Sequence, residues 1–299
     1  PCTLQFGNLP PILNRPSQSV SSVRFATTTP VSAIVSVRPL VFALLTSAVF
    51  TWTVLLVGGC ASPERPPAAA AILDSARAAH GAPVLDRAVV RFGFRGDAYR
   101  LRHEDGQFHY RRTYTDSLGR SVTEGIATQA GSIGTYRAVG GDTVSLSASE
   151  RGAVETTVNS VAYFSLLPEP LSDPAVQPTY SGRDTIDGVP YHRVEVAFRQ
   201  EGGGADWQDV FLYWFRADTY TMDYLAYAYG QGPDEEAGTR FREAYNVRQV
   251  NGVRMADYYN YTVDTLSAEQ MTRYPDLLAQ DAVRLVSRIE LDSIRVRPL

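Results

Sequence analysis

One cysteine in this 299-residue chain stands where its thiol would be acylated rather than used in catalysis. Cys60 follows Leu55-Leu-Val-Gly-Gly59, at the end of an apolar run that begins at Leu40. A charged start, an apolar core and small residues ahead of a cysteine make the pattern of a bacterial lipoprotein signal. In that pattern the thiol is acylated and becomes the new N-terminus. Val57 stands three before the cysteine, where leucine is more usual. The run also approaches the ~20 apolar residues that cross a bilayer, so an uncleaved anchor is the alternative. Against it stand Gly58-Gly59-Cys60 and the Pro-rich tether Pro63-Glu-Arg-Pro-Pro67. Acyl chains at ~0.8 kcal/mol per buried methylene would make the attachment effectively permanent. Ala61 after the cysteine fits sorting to the outer membrane.

Other reactive side chains are sparse. Of the four histidines, His80 ends a helix, where a cation suits the dipole, and His192 lies on an apolar strand face as a core residue. His103 and His109 fall on opposite faces of one hairpin and cannot share a metal. No G-x-S-x-G is present, and Gly131-Ser-Ile-Gly134 lacks its spacing. Gly202-Gly-Gly204 reads as a hairpin tip rather than a phosphate cradle, since no strand–helix context follows. That leaves Asp206, Asp209, Asp223, Glu243 and Asp257, in or beside the most apolar strands. Two such acids ~5–10 Å apart in a cleft would serve glycan hydrolysis; paired with Arg240, Arg242 and Arg248 they would be structural instead.

Composition removes several classes. All 28 basic residues are arginine, which excludes Schiff-base and pyridoxal chemistry and a P-loop lysine. With Cys60 acylated there is no thiol for zinc or disulfides in the mature chain, and no cofactor is expected. Three arginines (Arg15, Arg24, Arg38) precede Cys60, leaving 25 basic against 32 acidic residues, a net charge near −7. That balance argues against nucleic acid. Residues 1–36 contain no Met and no acid, and are expected to lie outside the functional protein. Residues 37–59 would be the signal, 60–67 a tether and 68–299 one domain.

The elements that must position these residues are mostly strands. A helix opens the domain, with Ile72, Leu73, Ala76 and Ala79 on one face and His80-Gly81 at its end. Asp105-Gly106 is a type I′ hairpin signal. It places Tyr99, Leu101, His103, Phe108, Tyr110 and Arg112 inward, and Arg100, Arg102, Glu104, Gln107, His109 and Arg111 outward. Asp187-Gly188 and Asn251-Gly252 mark two further hairpins. Val210-Phe-Leu-Tyr-Trp-Phe215 is apolar on both faces, so it must be covered on both sides. A helix from Thr157 or Asn159, stopped before Pro168, and a capping box at Ser267-x-x-Gln270 supply candidate covers. Val283, Leu285, Ser287, Ile289 and Leu291 alternate as a final strand. The expected class is mainly β (α+β): a strongly curved antiparallel sheet, or half-barrel, of about ten strands, with a few helices on the concave side.

The lipobox, the opening helix, the successive hairpins and the strand Phe211-Leu-Tyr-Trp-Phe-Arg-Ala-Asp218 together resemble the LolA/LolB-like superfamily of lipoprotein-localisation factors. Those are half-barrels that hold acyl chains in an apolar concavity. More narrowly, four segments resemble an uncharacterised family of bacterial secreted proteins, a likeness that runs from Ile72 onward. They are Asn159-Ser-Val-Ala-Tyr-Phe164, Leu166-Leu-Pro168 with Leu171-Ser-Asp-Pro-Ala-Val176, Asp223-Tyr-Leu-Ala-Tyr227 and Arg240-Phe-Arg-Glu-Ala244. The resemblance implies an envelope lipoprotein, anchored through Cys60, that binds a lipid or other apolar ligand. Trp207, Phe211, Tyr213 and Trp214 are the candidate apolar contacts. Across Asn251-Gly252, Arg242 is expected to face Tyr261, Ala244 to face Tyr259, Asn246 to face Asp257 and Arg248 to face Met255. Arg242, Asn246, Asp257 and Tyr259 would then hold a polar headgroup. A packed structural lipoprotein and a carboxylate-dependent hydrolase remain alternatives.

Overall fold

Among the described residues of the computed structural model every strand is antiparallel, and fourteen strands form two seven-stranded sheets. The structure describes residues 67–129, 132–204, 206–232 and 236–299. Cys60 and the signal therefore lie outside the described residues. The first sheet holds β1 (Ala88–Phe94), β2 (Asp97–Glu104), β3 (Gln107–Thr115), β4 (Ser121–Gln129), β5 (Ser132–Val139) and β6 (Asp142–Val144). The second is a meander of β7 (Val176–Ile186), β8 (Val189–Phe198), β9 (Val210–Arg216), β10 (Met222–Tyr229), β11 (Gly238–Val250), β12 (Val253–Thr262) and β13 (Arg284–Ile289). The last strand, β14 (Asp292–Pro298), crosses to the first sheet and pairs with β1.

The mainly β class stands as expected, while the strand count exceeds the expected ten. The strands with the weakest alternation are β5, half-buried after an exposed Ser132, and β6, exposed throughout. The turns behave as their residues dictate. Asp105, Asp187 and Asn251 each take φ near 50° ahead of a glycine with φ of 76° to 83°, the geometry of a type I′ turn.

Helix α3 (Ala148–Leu166) joins the two sheets and packs on both. Val154, Val158, Ala162 and Leu166 meet Val90, Phe92, Leu101, Tyr110 and Ile126 of the first sheet. Tyr163 and Phe164 meet the second, among Val196, Phe211, Tyr213 and Tyr227. The helix begins at Ala148, well before the expected Thr157 or Asn159. Its start is fixed by a capping box, in which the Glu150 N–H donates to Ser147 Oγ (3.3 Å) and the Ser147 N–H to Glu150 Oε2 (2.9 Å).

The strand apolar on both faces is covered twice, as its pattern requires. Helix α1 (Ala69–Ala79) and α3 lie against Phe211, Tyr213 and Phe215. The 3₁₀ turn Ala268–Arg273 and α4 (Tyr274–Ala279), the last of the α-helices once α2 (Ala82–Leu85) is numbered, cover Leu212, Trp214 and Phe241 on the opposite face. Helices thus lie on both sides of the second sheet, not on one.

His80 closes α1 and is buried, not a surface cation. Its Nδ1–H donates to the Ala76 carbonyl (2.8 Å), and its Nε2 accepts from the Met222 N–H (3.3 Å). Gly81 then turns with φ 90°, hard against the Gly252 carbonyl, where a side chain has no room. Burial holds the His80 imidazole down to about 4, against 6.5 when unfolded. The folded state therefore binds this proton less readily, and the stability it contributes is complete above pH 6.5 and drains away as pH falls to 4. The total is about 3 kcal/mol. Chemical denaturation of wild type and His80→Gln between those pH values should give a steep loss for wild type and a flatter one for the variant; parallel curves would contradict the assignment.

Candidate functional site

A cavity of about 310 Å³ opens between α3, the β1–β2 turn and the β11–β13 face of the second sheet. Phe94, Val161, Phe164, Ile289 and Leu291 form its apolar wall; Ser160, Asn260 and Ser287 are among its polar groups. Among the described residues its charged lining is three arginines, Arg95, Arg240 and Arg242, with no Asp or Glu.

Arg242 is 6% exposed. Its guanidinium lies 3.8 Å from the centroid of the Phe164 ring and also over Tyr227. Nη2 donates to the Tyr227 hydroxyl (3.2 Å), whereas the buried Nε has no acceptor. Among the described residues no carboxylate comes within ion-pair distance of it. Beside it, Asn260 donates from Nδ2 to Ser287 Oγ (3.3 Å) and leaves Oδ1 without a partner. Burying a guanidinium without a counter-ion is expensive, and π contacts of roughly 2 kcal/mol offset only part of that.

A bulge decides which residues share this site. Arg248 pairs with Met255 as expected, but the register slips between Tyr245 and Arg248, where Asn246 takes φ 46°. Beyond the slip Arg242 pairs with Asn260, Glu243 with Tyr259 and Ala244 with Tyr258. One extra residue exchanges the faces of a strand. Arg242 therefore meets Tyr258 and Asn260 in the cavity, while Tyr259 lies on the other face, stacked 4.1 Å from Tyr245. Tyr258 and Asn260 were missed because the unbulged pairing turned them away.

Asp257 and Asn246 belong to a different structure. Arg248 grips Asp257 with two hydrogen bonds (2.7 and 2.8 Å), Asn246 Nδ2 adds a third (2.7 Å), and the Leu291 N–H a fourth (2.9 Å). Arg248 also donates to the Leu291 carbonyl. The cluster latches the seam where the chain leaves β13 for β14. Although burial opposes ionisation, these donors hold the Asp257 carboxyl below its usual range.

The candidate aromatics sit in the core. Phe211 and Tyr213 are wholly buried, and the Tyr213 hydroxyl meets that of Tyr163 at 3.1 Å. Trp214 faces the opposite side and donates to Asp184 (3.0 Å). Trp207 packs half-buried at the edge of the same cluster as Phe211. Of the eight residues singled out in the fold, only Arg242 lines the cavity. The remaining acids are dispersed: Asp223 is bound by Arg254 (2.8 Å) and Tyr191 (3.0 Å), and Glu243 accepts from Tyr261 (3.2 Å), with burial raising its carboxyl.

The profile of a family of unknown function, DUF6503, matches residues 85–290. The chain belongs to that family. The match takes in α3, the cavity-lining strands and the Arg248–Asp257 pair of the latch. Among curated proteins none matches this chain. Two solved structures show a distant similarity to this chain. A DUF1329 family protein from Desulfovibrio piger is 10% identical over 76% of this chain and 92% of its own, with a TM-score of 0.43. A LolA superfamily protein from Nitrosomonas europaea is 11% identical over 78% and 95%, with a TM-score of 0.37. Neither carries a function over to this member of DUF6503.

Asp257→Asn should destabilise the DUF6503 domain by roughly 2 kcal/mol, because it removes the buried carboxylate that pairs with the half-buried Arg248 at the seam. Urea unfolding at neutral pH measures this; a loss below half a unit would remove the latch from the account.

Proposed function

We propose that this protein is an envelope lipoprotein, tethered through Cys60, that holds one amphiphile with an anionic head and a single short apolar tail. The observation that carries the reading is Arg242: a buried guanidinium in a cavity wall, whose Nε has no acceptor and which has no ion-pair carboxylate among the described residues. An incoming carboxylate or phosphate would supply the missing partner, and charge-assisted hydrogen bonds of this kind are the strong ones. Asn260 and Ser287 lie beside the head position, and the wall of Phe94, Phe164, Ile289 and Leu291 suits a tail.

Volume limits the cargo. A cavity of about 310 Å³ suits one short chain rather than the several acyl chains of a lipoprotein. It stands at the lower end of the ~300–1,000 Å³ typical of ligand pockets. The reading therefore departs from lipoprotein transport and favours a carrier or receptor for a small amphiphile.

Arg242→Gln should weaken binding of an anionic fluorescent fatty-acid analogue by roughly ten- to a hundredfold, the worth of one charged hydrogen bond, without lowering the melting temperature. Ala256→Trp, which fills the cavity, should abolish binding. Displacement titration and thermal unfolding read both variants; binding unchanged by Arg242→Gln, or lost only through unfolding, would overturn the reading.

A further inference from the structure

The outer face of the first sheet carries a charge array that the cavity does not use. Arg295 on β14, Arg91 on β1, Arg100 on β2 and Arg111 on β3 pair directly in sequence across four adjacent strands. They stand in one row, a guanidinium on every strand. With strands ~4.8 Å apart, the row runs about 15 Å. A second row alongside it holds Arg297, Arg102 and His109, from the pairings of Val89 with Arg297 and Arg102 and of Arg102 with His109. Arg91, Arg111, Arg295 and Arg297 are exposed, and Arg100 and Arg102 half-buried.

Counter-charges are scarce on this face. Arg102 is paired with Glu104, which also faces Arg87. Among the described residues none of the four arginines in the first row has an ion-pair partner. Asp292 lies at the margin, over Gly93. Proximity registers on the groups themselves: Arg100 titrates low through burial and then through Arg111, Arg91, Arg102 and Arg297, and His109 through burial and Arg100, Arg111 and Arg102. Like charges directly opposite on neighbouring strands cost stability, and this chain concentrates six of them on one face despite a net charge of −4.

We infer that this face docks on an anionic membrane surface, through lipid phosphate headgroups. The array is two-dimensional and lies on pleated sheet, so it fits a plane of mobile anions better than a strand that needs a groove. It offers no platform for stacking bases, as single-stranded nucleic acid requires: the one ring at its edge, Tyr136, covers Gly125 and is hydrogen-bonded to His109 (2.8 Å). Phe94, which lines the cavity, belongs to the buried inner side of the same hairpin, so the arginine face and the cavity are separate surfaces. The inference does not depend on what the cavity holds. A basic patch is also the second signal that turns a lipid tether into a fixed orientation on the membrane.

Flotation of the full chain with phosphatidylcholine vesicles, with and without phosphatidylglycerol, tests it. The apolar run from Leu40 gives a background on both; the readout is the increment due to phosphatidylglycerol. Wild type should show a large increment that falls steeply with added salt. The quadruple variant Arg91→Gln, Arg100→Gln, Arg111→Gln, Arg295→Gln should lose it roughly tenfold or more while melting no lower. A control removing equal charge elsewhere (Arg120, Arg199, Arg273 and Arg284 to Gln) should keep it. Equal increments in wild type and the quadruple variant, or equal losses in variant and control, would overturn the proposal. So would an oligonucleotide that displaces the chain from anionic vesicles at equal phosphate.

Discussion

Everything in this fold follows from a helix that must be buried on two sides. Helix α3 presents Val154, Val158 and Ala162 to one sheet and Tyr163 and Phe164 to the other. From Val158 to Leu166 every residue of this helix is buried or half-buried, so this half has no solvent face to spare and the two sheets have to wrap it. The chain closes that wrap once, where β13 of the second sheet runs into β14 of the first. At that seam Asp257 and Arg248 bind the backbone of Leu291 from both its N–H and its carbonyl. The cavity lies between α3 and this seam, and is lined from both, through Phe164 and Leu291.

Two arginines of one strand, Arg242 buried and Arg248 half-buried, show why the cavity reads as a binding site. Arg248 is fully engaged with Asp257, and its charge is accounted for within the protein. Arg242, on the cavity side of the bulge, has aromatic faces and a tyrosine hydroxyl instead. A buried ion pair is a structural device, whereas a buried cation without an anion is a site that something else completes. Arg254 with Asp223 repeats the structural case. The contrast lies in the partners and not in the residue type, which is why composition alone does not separate them.

Much of the architecture is legible in the sequence. Asp105-Gly106, Asp187-Gly188 and Asn251-Gly252 place three hairpins, and strict alternation assigns the faces of β2 and β3 to the residue. The strand at Phe211 announces its two covers by being apolar on both faces. What sequence does not announce is long-range or off-period. The slip at Asn246 moves Arg242 away from Tyr259 and toward Asn260, and nothing local marks it, since asparagine at positive φ also serves ordinary turns. Strand β14 alternates in charge like any edge strand, and only its pairing with β1 reveals that it leaves its sheet. The start of α3 was signalled by Ser147 and Glu150, but its first turns are polar, so periodicity points only to the later, apolar half.

The arginine face follows the same logic at a different scale. Each of Arg91, Arg100, Arg111 and Arg295 reads singly as the polar side of an amphipathic strand. Only the register of four strands lines them up.

The central claim is that the cavity completes Arg242 with an anionic head. Native mass spectrometry of the full chain titrated with decanoate and, separately, with decanol tests it most directly. The account predicts one equivalent of decanoate retained and none of decanol. No adduct with either, or equal retention of both, would contradict it.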